Sequence, residues 1–68
     1  MQEGTVKWFN VQKGYGFIQP AAGGPDVFVH ITAVQAAGLR DLLEGQRVAF
    51  DLVDNRGRKA ASNLRVVG

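Results

Sequence analysis

The sequence predicts an all-β fold, a small antiparallel barrel of five strands with a short helical turn between the third and fourth. Three observations carry this expectation. Apolar and polar residues alternate with a period of two along several short stretches, as from Arg47 to Val53, and that is the period at which side chains point to opposite faces of a sheet. Turn-forming residues interrupt these stretches at near-regular spacing, as in small barrels. At 68 residues the chain has room for one core only, because a domain this short buries about 60% of the surface that its unfolded form exposes.

Gly4 to Asn10 mixes β-branched and aromatic residues and reads as the first strand,. A turn with Lys13 and Gly14 follows. Tyr15 to Gln19 then alternates, with Tyr15, Phe17 and Gln19 on one face and Gly16 and Ile18 on the other. Pro20 ends this strand or marks its edge, since proline cannot donate to the ladder. Gly23-Gly24-Pro25-Asp26 forms a turn into a third strand, Val27 to His30, in which Val27 and Val29 oppose Phe28 and His30. Thr32 stands where it would cap a helical turn from Ala33 to Ala37, which Gly38 interrupts, and a long loop continues to Gly45,. Val48, Phe50 and Leu52 share one face of the fourth strand, and Phe50 is assigned to the core. Asn55-Arg56-Gly57 makes the last turn, and Lys59 to Val67 the last strand. The whole chain, residues 1–68, reads as a single domain with no repeat or linker.

Composition removes several function classes. There is no Cys and a single His, so neither a disulfide framework nor a zinc site is expected. Hydrophobic residues at 46% rule out a disordered tail, and the longest apolar runs are too short to span a bilayer. Met1-Gln2-Glu3-Gly4 lacks the basic and apolar stretches of a secretory signal, which makes the cytoplasm the expected location. Catalysis finds no support. No Ser/His/Asp set is available, and Asp51 and Asp54 read as solvated strand-end charges,. Glycines 14, 16, 23 and 24 fit neither the Walker nor the dinucleotide spacing,. Neither an enzyme nor a cofactor is expected.

A net charge of +2 says little by itself, and its distribution says more. Lys7 and Lys13 flank the aromatic-rich opening, and Arg56, Arg58 and Lys59 form a second cluster, while Asp41, Glu44, Asp51 and Asp54 lie elsewhere. If Ile18, Val27 and Val29 face the core, alternation forces Tyr15, Phe17, Phe28 and His30 onto one outer surface. Exposed rings forgo roughly 1.5–3 kcal/mol each of burial energy, so such a patch marks a binding site. Trp8 reaches the patch only if a bend or bulge separates it from Val6. Phe9 fits either side. Rings flanked by cations suit an unpaired strand, because every base has a π-face while Lys and Arg track phosphates. A duplex hides those faces. A protein-interaction barrel using the same apolar patch is the alternative.

Lys13-Gly14-Tyr15-Gly16-Phe17-Ile18 followed by Val27-Phe28-Val29-His30-Ile31 resembles the paired ribonucleoprotein motifs of the cold-shock domain family, and Lys7-Trp8-Phe9-Asn10 resembles its opening. The likeness runs nearly end to end, through Asn55-Arg56-Gly57 to Ala60-Ala61-Ser62-Asn63-Leu64. Lys13 to Phe17 also fits the RNA-recognition motif, but that fold needs two long helices and the opposite motif order. The resemblance implies a five-stranded OB-type barrel of the bacterial cold-shock kind, a cytoplasmic monomer that binds single-stranded RNA and single-stranded DNA as an RNA chaperone or transcription antiterminator. It implies no cofactor, membrane or small-molecule substrate. The family's binding residues fall on Lys7, Trp8, Phe9, Lys13, Tyr15, Phe17, Phe28, His30 and Arg56. Three positions depart from the common pattern: Ile31 and Leu39 stand where aromatics are frequent, and Arg58 where Pro is. These three and Lys59 are further candidate contacts.

Overall fold

The computed structural model describes residues 1–55 and 57–67. The elements run β1 (Gln2–Asn10), β2 (Tyr15–Pro20), β3 (Val27–His30), α1 (Ile31–Ala36), β4 (Arg47–Asn55) and β5 (Arg58–Val66). The strands close into a barrel in the order β1-β2-β3-β5-β4. Every neighbouring pair is antiparallel except β3 and β5, which run parallel where Phe28 meets Ala60. A ring with an odd number of strands cannot alternate direction all the way round, so closure itself requires one parallel pair.

The core holds the inward residues of every strand together with helix and loop residues: Val6, Ile18, Val27, Val29, Val48, Phe50, Ala61 and Leu64, closed off by Val34 and Leu42. Ile18, Val29 and Phe50 have no exposed surface. Burying side chains of this size stabilises the fold by about 1.5–3 kcal/mol each.

Two bulges set the faces. On β1, Val6 pairs with Ile18 and Trp8 with Phe17, so Lys7 is an extra residue with no opposite number. It reverses the alternation, which buries Val6 and leaves Trp8 37% exposed. On the other side of the barrel, Ala49 pairs with Arg65 and Asp51 with Ser62, two steps on β4 against three on β5. Asn63 absorbs the surplus with φ of +49°, a left-handed conformation that Asn tolerates better than most residues. Asn63 Nδ2 donates to Asp51 Oδ2 at 2.8 Å, and the N-terminal ammonium lies 3.7 Å from Asp51 Oδ1.

Asp51 is therefore a structural partner rather than a solvated charge. Asp54 is engaged too, its carboxylate accepting from Gly57 N–H at 3.0 Å to close the hairpin turn. Leu52 shares the face of Val48 and Phe50, as expected, and lies past the end of the core, 37% exposed.

Around α1 the cap is His30 and not Thr32. The His30 Nδ1 accepts from the Thr32 N–H at 3.2 Å, and the helix starts at Ile31. An acceptor must precede the unpaired N–H groups that it serves by two or three residues, and His30 does. At the other end Gly38 adopts φ of +79°, with Gly38 N–H donating to Gln35 O at 2.9 Å and Leu39 N–H to Val34 O at 3.0 Å. These two bonds are the Schellman pattern, in which the residue after the glycine turns inward onto the last helical turn. Leu39 accordingly packs against the core.

Candidate nucleic-acid interface

The pairing of β2 with β3 sets Tyr15 opposite His30 and Phe17 opposite Phe28. Since Gly16, Ile18, Val27 and Val29 between them are all buried, the ring-bearing positions have only the outer face available. The Lys7 bulge then brings Trp8 in from β1, with its ring centroid 5.6 Å from Tyr15 and 5.3 Å from Phe17. Phe28 lies 5.7 Å from Tyr15 and 5.9 Å from Phe17, and His30 closes the series 6.3 Å from Phe28. Five rings from three adjacent strands thus form one continuous array.

Four of the six ring pairs are edge-to-face and two are tilted; edge-to-face is a geometry preferred by ring quadrupoles and worth about 0.5–1.5 kcal/mol per pair beyond burial. Mutual packing holds the rings in place before anything binds. Tyr15, Phe17 and Phe28 remain half-exposed and His30 exposed. Because the His30 Nδ1 accepts the capping bond, the neutral ring carries its proton on Nε2, which leaves a donor for a base or a phosphate.

The cations are distributed around this array. Arg58 places its guanidinium carbon 5.8 Å from the centre of the Phe28 ring, within the range of a cation–π contact. Lys13 is exposed in the β1–β2 turn and Lys59 on β5. Lys7 is already engaged, its Nζ 3.0 Å from Asp26 Oδ2; to reach a phosphate it must leave that carboxylate. The pair is solvent-exposed, so parting it costs at most about 1 kcal/mol. Arg56 lies outside the described residues.

Phe9 falls on the inner side of its strand. It pairs with Gly16 and packs half-buried against the core, supporting the array from beneath. Gly16 allows this: a Cβ there would collide with the Trp8 carbonyl oxygen and meet the Phe9 Cα at 2.7 Å. Its smallness thus serves barrel packing and leaves no gap for a base. Ile31 is half-buried beside Gly14 of the β1–β2 turn, whose backbone carbonyl accepts its N–H at 2.8 Å. Sequence reasoning did not find the pairing of Lys7 with Asp26. Asp26 has no local signal beyond being a turn residue, and its pairing with Lys7 spans 19 positions. Among the described residues no cluster of His, Asp and Glu could hold a metal ion.

A sequence profile of the 'Cold-shock' DNA-binding domain matches residues 2–67. The chain belongs to the cold-shock domain family. This cold-shock domain is 57% identical to the cold shock protein CspA of Rhizobium meliloti, over 96% of its length and 97% of that protein. It is 55% identical to CspB of Geobacillus stearothermophilus, over 97% and 100% of the two chains. With the cold shock-like protein CspC of Shigella flexneri it shares 51% identity, over 96% and 94%. The family consists of nucleic-acid-binding proteins rather than enzymes, and in this chain the barrel carries the exposed ring array described above.

Proposed function

We propose that residues 1–68 of this cold-shock domain act as one unit that binds single-stranded RNA and single-stranded DNA. Unpaired bases lie on Trp8, Tyr15, Phe17, Phe28 and His30, while Lys13, Arg58 and Lys59, with Arg56, meet the phosphates and Lys7 stays on Asp26. The observation that carries this reading is the continuity of the five rings across three strands. Each base stacked on such a ring contributes about 1–3 kcal/mol with little regard to its identity. Base-paired nucleic acid presents edges and phosphates and keeps its π-faces stacked, so it gains none of this.

Favouring the unpaired state by RT ln(1 + [L]/Kd), the protein opens marginal hairpins without ATP. That is the physical content of an RNA chaperone, and opening a terminator hairpin is the same act in transcription antitermination. The protein works as a monomer in the cytoplasm, with no small-molecule substrate. No helix among the described residues is long and apolar enough to cross a membrane.

Trp8 is the sole tryptophan and sits in the array, so its fluorescence reports occupancy directly. An oligopyrimidine should quench it saturably and a duplex of the same length should not. Equal quenching by both would remove the stacking mechanism. A hairpin with fluorophore and quencher at its ends should open as protein is added, and one that stays closed at saturating protein would exclude the chaperone role.

A further inference from the structure

Beside Phe28 the array runs into an open groove of about 920 Å³ between the β2–β3 loop and the tip of the β4–β5 hairpin. Its first wall is made of array rings, Tyr15, Phe17 and Phe28. Its far side holds Val27 and the exposed face of Leu52, and Arg58 and Lys59 stand on the rim. The size lies within the range of pockets that take a single organic ligand, about 300–1,000 Å³.

We propose that this groove is a further nucleotide subsite, which receives one base of the bound strand past the end of the ring array. The inference rests on the single-strand reading above and extends it to a region that contains no ring of its own beyond the array. Three observations favour the next nucleotide of the same strand as occupant. The groove is continuous with the array, since Phe17 and Phe28 belong to both. Leu52 leaves 37% of its surface in water at a position whose face elsewhere on β4 is core, and an apolar surface of this kind is stabilised by a covering ligand.

The charges also match a polyanion. Arg58 and Lys59 stand where a phosphate must pass, and the acid on the groove, Asp26, has its carboxylate on Lys7 at 3.0 Å and so repels a phosphate less than a free carboxylate does. An aliphatic floor gives contact without a π-face, so the gain falls at the low end of base stacking and is indifferent to base identity. Arg58 over Phe28 stands where the strand crosses from the rings into the groove.

The test is a ladder of oligothymidylates spanning about 4–16 nucleotides, titrated by Trp8 fluorescence against the wild-type protein, Leu52→Ser and Leu52→Phe, with urea midpoints for all three. The wild-type affinity should climb with length until array and groove are filled. Leu52→Ser should bind the shorter oligomers unchanged, reach its plateau one nucleotide sooner and end roughly fivefold weaker, the low end of a stacking contribution. Leu52→Phe should enlarge the same final step. Coincident length curves for the three proteins, or an equal drop at every length, would overturn the subsite while leaving the platform reading intact. Absence of binding to any oligomer by the wild-type protein would overturn the platform reading and the groove with it.

Discussion

Tyr15 and Gly16 are neighbours in sequence yet serve opposite faces of β2. The outer face, with Tyr15 and Phe17 paired to His30 and Phe28, holds rings that touch one another but remain open to solvent. The inner face, with Gly16 and Ile18 paired to Val29 and Val27, has no room to spare. Substitutions on the inner face should therefore act on stability and those on the outer face on binding, although the two are one residue apart. The boundary positions, Lys7, Ile31 and Leu39, are where this division can be broken.

The largest effect is expected at Gly16. A Cβ there meets backbone on two sides, the Trp8 carbonyl and the Phe9 Cα, and backbone cannot swing away as a flexible side chain can. Gly16→Ala should cost about 3 kcal/mol, the upper end of overpacking, against a net stability on the order of 3–5 kcal/mol for a domain of this size. A urea midpoint within a few tenths molar of wild type would show that the inner face is less tightly filled than the geometry says.

Next come the rings. Phe17→Ala and Phe28→Ala should each weaken oligothymidylate binding by roughly 1–3 kcal/mol and leave the fold intact, because both side chains are only half-buried and outside the core. Fluorescence titration and thermal unfolding of the same samples separate the two quantities. Unfolding of either variant at room temperature would mean that the outer rings carry the structure.

Ile31 sharpens the division. It sits beside His30 at the start of α1, half-buried and outside the core cluster. Ile31→Phe should extend the array by one ring and raise affinity by about 1 kcal/mol at an unchanged urea midpoint. A lowered midpoint with unchanged affinity would assign Ile31 to the inner face, where the larger ring overpacks.

The smallest expected effect concerns charge. With Lys13, Arg56, Arg58 and Lys59 on phosphates, log affinity should fall against log salt with a slope of about −3, at roughly −0.7 for each contact on a single strand. Asp26→Asn frees Lys7 from its ion pair and should steepen that slope by one further contact. An unchanged slope would leave Lys7 as the bulge residue of β1 and nothing more.

Much of the site was legible because its residues lie on strands, where alternation fixes the facing of each side chain relative to the next. Once Val27 and Val29 are inside, Phe28 and His30 are outside, and no tertiary information is needed. The same rule needed a correction at each bulge. A bulge is an extra residue on one strand only, so it is visible in the register between two strands and not in either alone. The need for one near Trp8 could be stated from the conflict between Val6 and Trp8. Nothing comparable announced Asn63, and the role of Asp51 went astray beside it. The facing of Leu39 was illegible for another reason: sequence identified the glycine that ends α1, but the inward turn of the next residue follows from hydrogen bonds to Gln35 and Val34.

The sequence by itself determined that this chain is a small β-barrel presenting aromatic side chains from β2 and β3, because a period of two is a local property and a chain this short can bury only one face of each strand. The tertiary structure alone decided which cations are free and where the ring array ends. Lys7 meets Asp26 across 19 positions, Arg58 comes to rest over Phe28, and Leu52 opens into the groove. These are meetings between strands that are remote in sequence, and they are fixed by barrel closure, which no single strand encodes.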